Sequence, residues 1–160
     1  MLRPLPLEKS GVEGSPFTGC TTAHMTRQAI VLDTNIVLDV FVFKDAGAVT
    51  VLRGLESGEL DWIATTPMRD ELVRVLGYPK IVVRLSFSGL SAEDGLARFD
   101  RYARIVSVAD KASLTCSDPD DQPFIDLAVA HQALLLSKDQ AVISMKKRLL
   151  AQGVRAQTAL

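Results

Sequence analysis

The chain has 160 residues, of which 48% are hydrophobic and 23% charged, with a formal net charge of −1. That length fits one domain with a sizeable core, and the near-neutral balance excludes a global pull on nucleic acid or anionic membrane, so any such contact must rest on a local basic patch. No apolar run approaches the roughly 18 residues of a membrane span, no signal-peptide segment is visible, and Cys20 and Cys116 lie too far apart for metal-ligand spacing, which together read as a cytoplasmic protein with reduced thiols.

Residues 1–28 carry Pro4, Pro6, Gly11, Gly14, Pro16 and Gly19 with no sustained period, and read as a flexible N-terminal extension. His24 falls in this arm and takes no role. The compact domain is then 29–160. It opens on the apolar run 29–32, a strand buried on both faces, which stops on Asp33-Thr34-Asn35. A helix over 36–41 follows, with Thr34 as its cap, and a second over 46–57 ends at Gly58. A strand over 60–64 leads to a helix over 67–76, opened by Pro67 and stopped by Gly77 and Pro79. Residues 80–87 suit a further helical turn or two. Ser91 with Asp94 forms a capping box for a helix through 104, before a strand at 105–107.

The acidic stretch Asp118-Pro119-Asp120-Asp121 introduces a helix over 122–132. A buried strand over 134–136 ends at Ser137-Lys138-Asp139, a helix over 140–151 closes with Gly153, and 154–157 suits a last strand. Alternating strands and helices predict an α/β fold with a mostly parallel sheet and right-handed crossovers.

Four carboxylates stand out against this framework. Asp33 and Asp139 each follow a buried strand, where open parallel sheets place their ligands; each also suits a helix cap. At about 100° per residue, Glu71 lies about 60° from Met68, on the shoulder of the buried stripe, whereas Asp70 lies about 160° away and faces solvent. Asp121 continues the stripe of Phe124, Ile125 and Ala128, while Asp126 lies about 140° round and reads as solvated. One of Asp118, Asp120 and Asp121 caps the helix, but three acids exceed what one cap requires. His131 lies on the apolar stripe and reads as a core histidine. Four acids converging in one crevice cannot all stay ionised and unpaired, so a divalent cation is the natural partner. Oxygen donors without His or Cys favour Mg²⁺ or Mn²⁺ over Zn²⁺.

Taken with their flanks, these residues resemble a PIN domain across roughly 30–157. VLDTNIVLD is similar to the first motif of that family, with Asp33 its acid and Asn35 its supporting polar residue. TPMRDELVRVLGYPK resembles the second through Glu71, DPDDQPFIDLAVA the third through Asp121, and LLLSKDQAV the fourth through Asp139, with Ser137 where threonine is common. DPDD and VLGYPK are most similar to the subgroup of toxin–antitoxin toxins. The resemblance implies a three-layer α/β/α sandwich and metal-dependent cleavage of RNA. It implies Asp33, Glu71, Asp121 and Asp139 as catalytic and metal-holding acids, with Asn35 and Ser137 in support; Asp118 and Asp120, which the motif does not strictly demand, are secondary, as supporting acids or the helix cap. It also implies an antitoxin partner and a homodimer. Basic residues Arg69, Arg74, Lys80, Arg84 and Lys138 are candidates to hold the phosphate backbone. Lys138 departs from the glycine frequent at its position, and puts a cation beside Asp139 that either binds phosphate or blunts the metal site.

Rival readings fit less well. A haloacid-dehalogenase-like phosphatase needs an Asp where Asn35 stands. A receiver domain wants paired acids at the first strand. A dinucleotide-binding fold lacks its Gly-rich turn here. A catalytically weak PIN-like scaffold that binds RNA or a protein partner is the non-enzyme alternative.

Overall fold

The computed structural model describes residues 27–160, so the extension expected over 1–28 lies almost wholly outside the described residues. In chain order the elements are β1 (Gln28–Leu32), α1 (Thr34–Phe41), a short 3₁₀ turn (Ala46–Ala48), α2 (Val49–Ser57), β2 (Leu60–Ala64), α3 (Thr66–Leu76), α4 (Pro79–Phe87) and α5 (Ala92–Tyr102). They continue with β3 (Arg104–Ile105), α6 (Gln122–His131), β4 (Leu134–Leu136), α7 (Gln140–Ile143), α8 (Lys146–Ala151) and β5 (Ala156–Gln157).

The five strands form one wholly parallel sheet in the order β3-β2-β1-β4-β5. From β1 the chain steps outward to β2 and β3, then returns to the other side of β1 for β4 and β5. With right-handed crossovers, helices between β1 and β3 cover one face of the sheet and later ones the other. The sheet is thus the middle of three layers. The reversal of direction falls between β1 and β4, where a doubly wound sheet opens its crevice.

The central strands are apolar because both their faces are covered. Ile30, Val31, Ile63, Leu135 and Leu136 are completely buried. Trp62 on β2 joins the helices to the sheet: its ring stacks on Phe41 at 5.7 Å and meets Phe99 edge-on at 4.9 Å. Gly58 ends α2 at φ +83°, a left-handed conformation that favours glycine. The capping box at Ser91 and Asp94 forms as expected.

Three expectations are corrected. The helix over 140–151 is broken at Ser144 and Met145 into α7 and α8. His131 is exposed, since it is the last residue of α6, beyond the packed stripe. Asp126 is half-buried rather than solvated: it accepts hydrogen bonds from the Ala112 amide (2.9 Å) and from Gln122 Nε2 (2.7 Å), and so straps the long loop before α6.

Candidate metal centre

Asp33 directly follows β1, and its backbone N–H donates to the Leu136 carbonyl of β4 at 3.0 Å. The pairing of β1 with β4 therefore carries Asp33 to the switch point, next to the residues that leave β4. Ser137, fully buried, donates its hydroxyl to Asp33 Oδ2 at 2.7 Å. The same hydroxyl oxygen accepts the Asp139 amide at 3.0 Å. One serine thus ties the two strand-end acids together. Asp139 also caps α7, accepting from the Ala141 amide at 2.9 Å, so cap and cluster member are compatible roles.

Asp121 arrives from the opposite layer at the start of α6. It occupies the N-cap position, yet its side chain makes no cap hydrogen bond. None of the three acids of the DPDD run caps α6 in the expected way. Asp118 instead accepts the Asp120 amide at 2.9 Å, shaping the turn, and the Asp120 side chain is exposed. Asp118, Asp121 and Asp139 offer carboxylate oxygens that all lie within 4.8 Å of one another. Asp121 Oδ2 is buried with no hydrogen-bond partner. A buried carboxylate oxygen without a donor is costly and matches the ligand position of a hard cation.

Glu71 comes from α3, half-buried on the shoulder of its stripe, while Asp70 is exposed, as the helical geometry predicted. Its Oε2 accepts the Thr34 hydroxyl at 2.6 Å. Thr34 was expected to cap α1, but it lies inside the helix and Asp33 holds the cap position. Thr34 is the residue that sequence reasoning missed, because a Ser or Thr after a strand looks like a cap whatever its hydroxyl does.

The electrostatics follow from this crowding. The Asp33 carboxyl is raised above the ordinary carboxylate range by burial first; hydrogen bonds from Ser137 and the Asn35 amide pull it down, and Asp139 and Glu71 push it up. Burial also leads for Asp121, which is pushed up to about 7, followed by its hydrogen bond with Asp139 and the charges of Asp33, Asp139 and Asp118. No cation offsets them: the ion pairs of the described residues involve Asp61, Asp100 and Asp39, none of them a cluster acid.

Asn35 contributes through its backbone, and its side chain is exposed. Arg69 is engaged by Asp100 of α5 through bonds of 2.8 and 2.9 Å, Arg84 sits 4.2 Å over the Phe43 ring, and Lys138 pairs with Asp39. Arg74 and Lys80 are exposed. The structure brings the carboxylates of Asp118, Asp121 and Asp139 together, with Asp33 close enough to act on Asp121, and Glu71 on Asp33; this all-oxygen group, with an orphaned buried oxygen in it, could hold a metal ion.

A family model described as PIN domain matches residues 29–141. Among solved structures, a chain of the crystal structure of VapBC2 from Rickettsia felis bound to a DNA fragment from their promoter is similar in fold. Its TM-score is 0.55 at 16% sequence identity, covering 81% of this chain and 97% of that one. Comparison with the curated proteins finds no match.

Proposed function

This chain belongs to the PIN domain family, and from that premise we propose that it is a Mg²⁺- or Mn²⁺-dependent endoribonuclease that hydrolyses RNA phosphodiester bonds, acting as the toxin of a type II toxin–antitoxin pair. The observation that carries the reading is the acid cluster without a side-chain cation, in which Asp121 Oδ2 is buried and unpartnered. A divalent ion bound there supplies Lewis-acid activation of water and charge neutralisation at the scissile phosphate. Asp33, Asp121 and Asp139 are the residues to hold it, with Glu71 completing the cleft on the α3 side. Ser137 orients Asp33 and Asp139, and Thr34 orients Glu71, through the hydrogen bonds described above. Asp118 adds negative charge at the edge. The exposed Arg74 and Lys80 suit contact with the phosphate backbone.

The partner side of the reading is an antitoxin protein. A trough of about 420 Å³ lined by Val40, Phe41, Leu52 and Tyr102 with Arg98 and Glu56 suits an amphipathic segment of such a partner. A homodimer belongs to the same reading, and the exposed Tyr78, Val82, Val83 and Phe87 around α4 offer an apolar surface for a second copy. No helix among the described residues is long and apolar enough to cross a membrane, and a cytoplasmic location goes with the proposal.

The test is incubation of the purified protein with single-stranded RNA and Mn²⁺ beside its Asp33→Asn variant. Cleavage by the parent alone, abolished by chelation, is the expected result. RNA that is bound but left intact by both proteins would establish the scaffold instead.

A further inference from the structure

Lys138 stands between two residues of the acid cleft, Ser137 and Asp139, yet its side chain takes no part in it. Side chains alternate across the sheet at a strand end, so Ser137 turns inward to Asp33 while Leu136 and Lys138 face a separate depression of about 220 Å³. That depression is also lined by Ile36, Asp39 and Asp45, and by none of the four cleft acids. There Lys138 Nζ meets Asp39 Oδ2 at 2.5 Å. Asp39 is 8% exposed, and its helix end is pinned because its carbonyl accepts the Asp45 amide at 2.9 Å.

We propose that Asp39 is a positioning residue that holds the Lys138 ammonium on the far face of the β4 end, keeping it out of the acid cleft and leaving that cleft its full negative charge for a divalent cation. The proposal rests on the metal-binding reading of the cleft. A lysine ammonium on a flexible four-carbon stem goes to the strongest carboxylate within reach. Without Asp39, the carboxylates near residue 138 are Asp45 of the same depression, already engaged by the Gly47 amide, and the cluster around Asp139 and Asp121, whose several charges act together. A unit cation brought to within about 8 Å of a bound dication in a water-like dielectric costs roughly a fivefold loss of affinity.

The experiment is Mn²⁺ binding to the full chain by titration calorimetry at pH 8. It compares the parent with Asp39→Asn, Asp39→Ser, Lys138→Met and the double variant Asp39→Asn/Lys138→Met, each checked by thermal melting. Asp39→Asn should weaken binding roughly fivefold, and Lys138→Met should leave it unchanged. The double variant should bind as the parent does, because with no ammonium to release, losing Asp39 no longer matters. A merely structural role for Asp39 predicts no such rescue. Asp39→Ser removes the same carboxylate with a smaller side chain, so a folding failure of one variant leaves the other to decide. Parental binding in Asp39→Asn and Asp39→Ser, or a double variant as weak as Asp39→Asn, would overturn the proposal alone. A parent that binds no Mn²⁺ would overturn the metal reading and the proposal with it.

Discussion

Asp121→Asn separates a metal ligand from a helix cap by the sign of its effect on stability. Asp121 is 6% exposed and its carboxyl is pushed from the ordinary 3.8 to about 7, chiefly by burial and then by Asp139, Asp33 and Asp118. At pH 8 it is ionised against those forces. The gap between 3.8 and about 7 sets a ceiling of about 4 kcal/mol on that cost. Water at the mouth of the cleft and relaxation of its neighbours bring the realised part to about 1–2 kcal/mol. Against this, the variant loses a negative charge at the positive end of α6, about 0.3–1 kcal/mol. Asparagine caps helices as well as aspartate does, so no capping loss is added.

The net expectation is an Asn variant about 1 kcal/mol more stable than the parent in EDTA at pH 8, or roughly 3 °C in Tm. At pH 5 the folded carboxyl is protonated while the unfolded one is not, so the difference should shrink, and it should vanish only below 3.8, where both states hold the proton. Saturating Mn²⁺ should invert the order, because binding at a hundred times Kd stabilises the parent by about 2.7 kcal/mol and the variant lacks the central ligand. RNA cleavage should fall by at least roughly a hundredfold. Thermal melts at both pH values, with EDTA and with Mn²⁺, read all of this. A variant that is less stable in EDTA at pH 8 and still responds to Mn²⁺ would refute the reasoning and make Asp121 a structural residue.

Three further outcomes are expected. Without metal, stability should fall as pH rises from about 4 to about 7, because the folded state keeps a proton at Asp121 that the unfolded chain has released. The slope is at most about 1.4 kcal/mol per pH unit, and urea melts in EDTA that show stability rising through that window would contradict it. Asp61, Asp94 and Asp100, all held below the ordinary range by arginine or capping bonds, act with opposite sign, but only as pH falls below 3.8. Thr34→Val should weaken Mn²⁺ binding several-fold with Tm nearly unchanged, since it removes the 2.6 Å bond to a half-buried Glu71 and keeps the side-chain shape; calorimetry showing parental affinity would remove Thr34 from the site. Ser137→Ala should be the costlier change, about 1–3 kcal/mol in a denaturant melt, because a fully buried hydroxyl serves both Asp33 and Asp139; a loss confined to metal affinity would show that the bond does not support the fold.

What could be read from the sequence divides along a physical line. The strand ends at Asp33 and Asp139 were legible because a short β-branched or leucine run stopped by an acid is a local pattern. So was the choice of Glu71 over Asp70, which needs only helical geometry. That Asp33 and Asp139 touch through Ser137 was not local: the bond spans 104 residues and depends on β1 pairing with β4 as well as with β2. The break between α7 and α8 was invisible because Val142, Met145 and Leu149 keep helical spacing across it and all are buried. Lys138 had a cue that went unused: strand alternation already put it on the face opposite Ser137 and Asp139.

The layout of charge argues that this cleft is completed from outside the chain. The donors that hydrogen-bond the cluster acids within the described residues are neutral hydroxyls and amides: Thr34, Ser137, and the backbone of Asn35, Asp120 and Ala141. Such donors orient carboxylates without cancelling their charge. The cations stand elsewhere, with Arg69 on Asp100, Arg27 and Arg104 on Asp61, and Lys138 on Asp39. An acid cluster that only stabilised the fold would be expected to recruit one of these side chains, because breaking up repulsion in a buried site is worth more than any exposed pair. Here the fold instead supplies neutral bonds around a net negative hole at the switch point of its sheet, the arrangement expected of a site that takes its cation from outside.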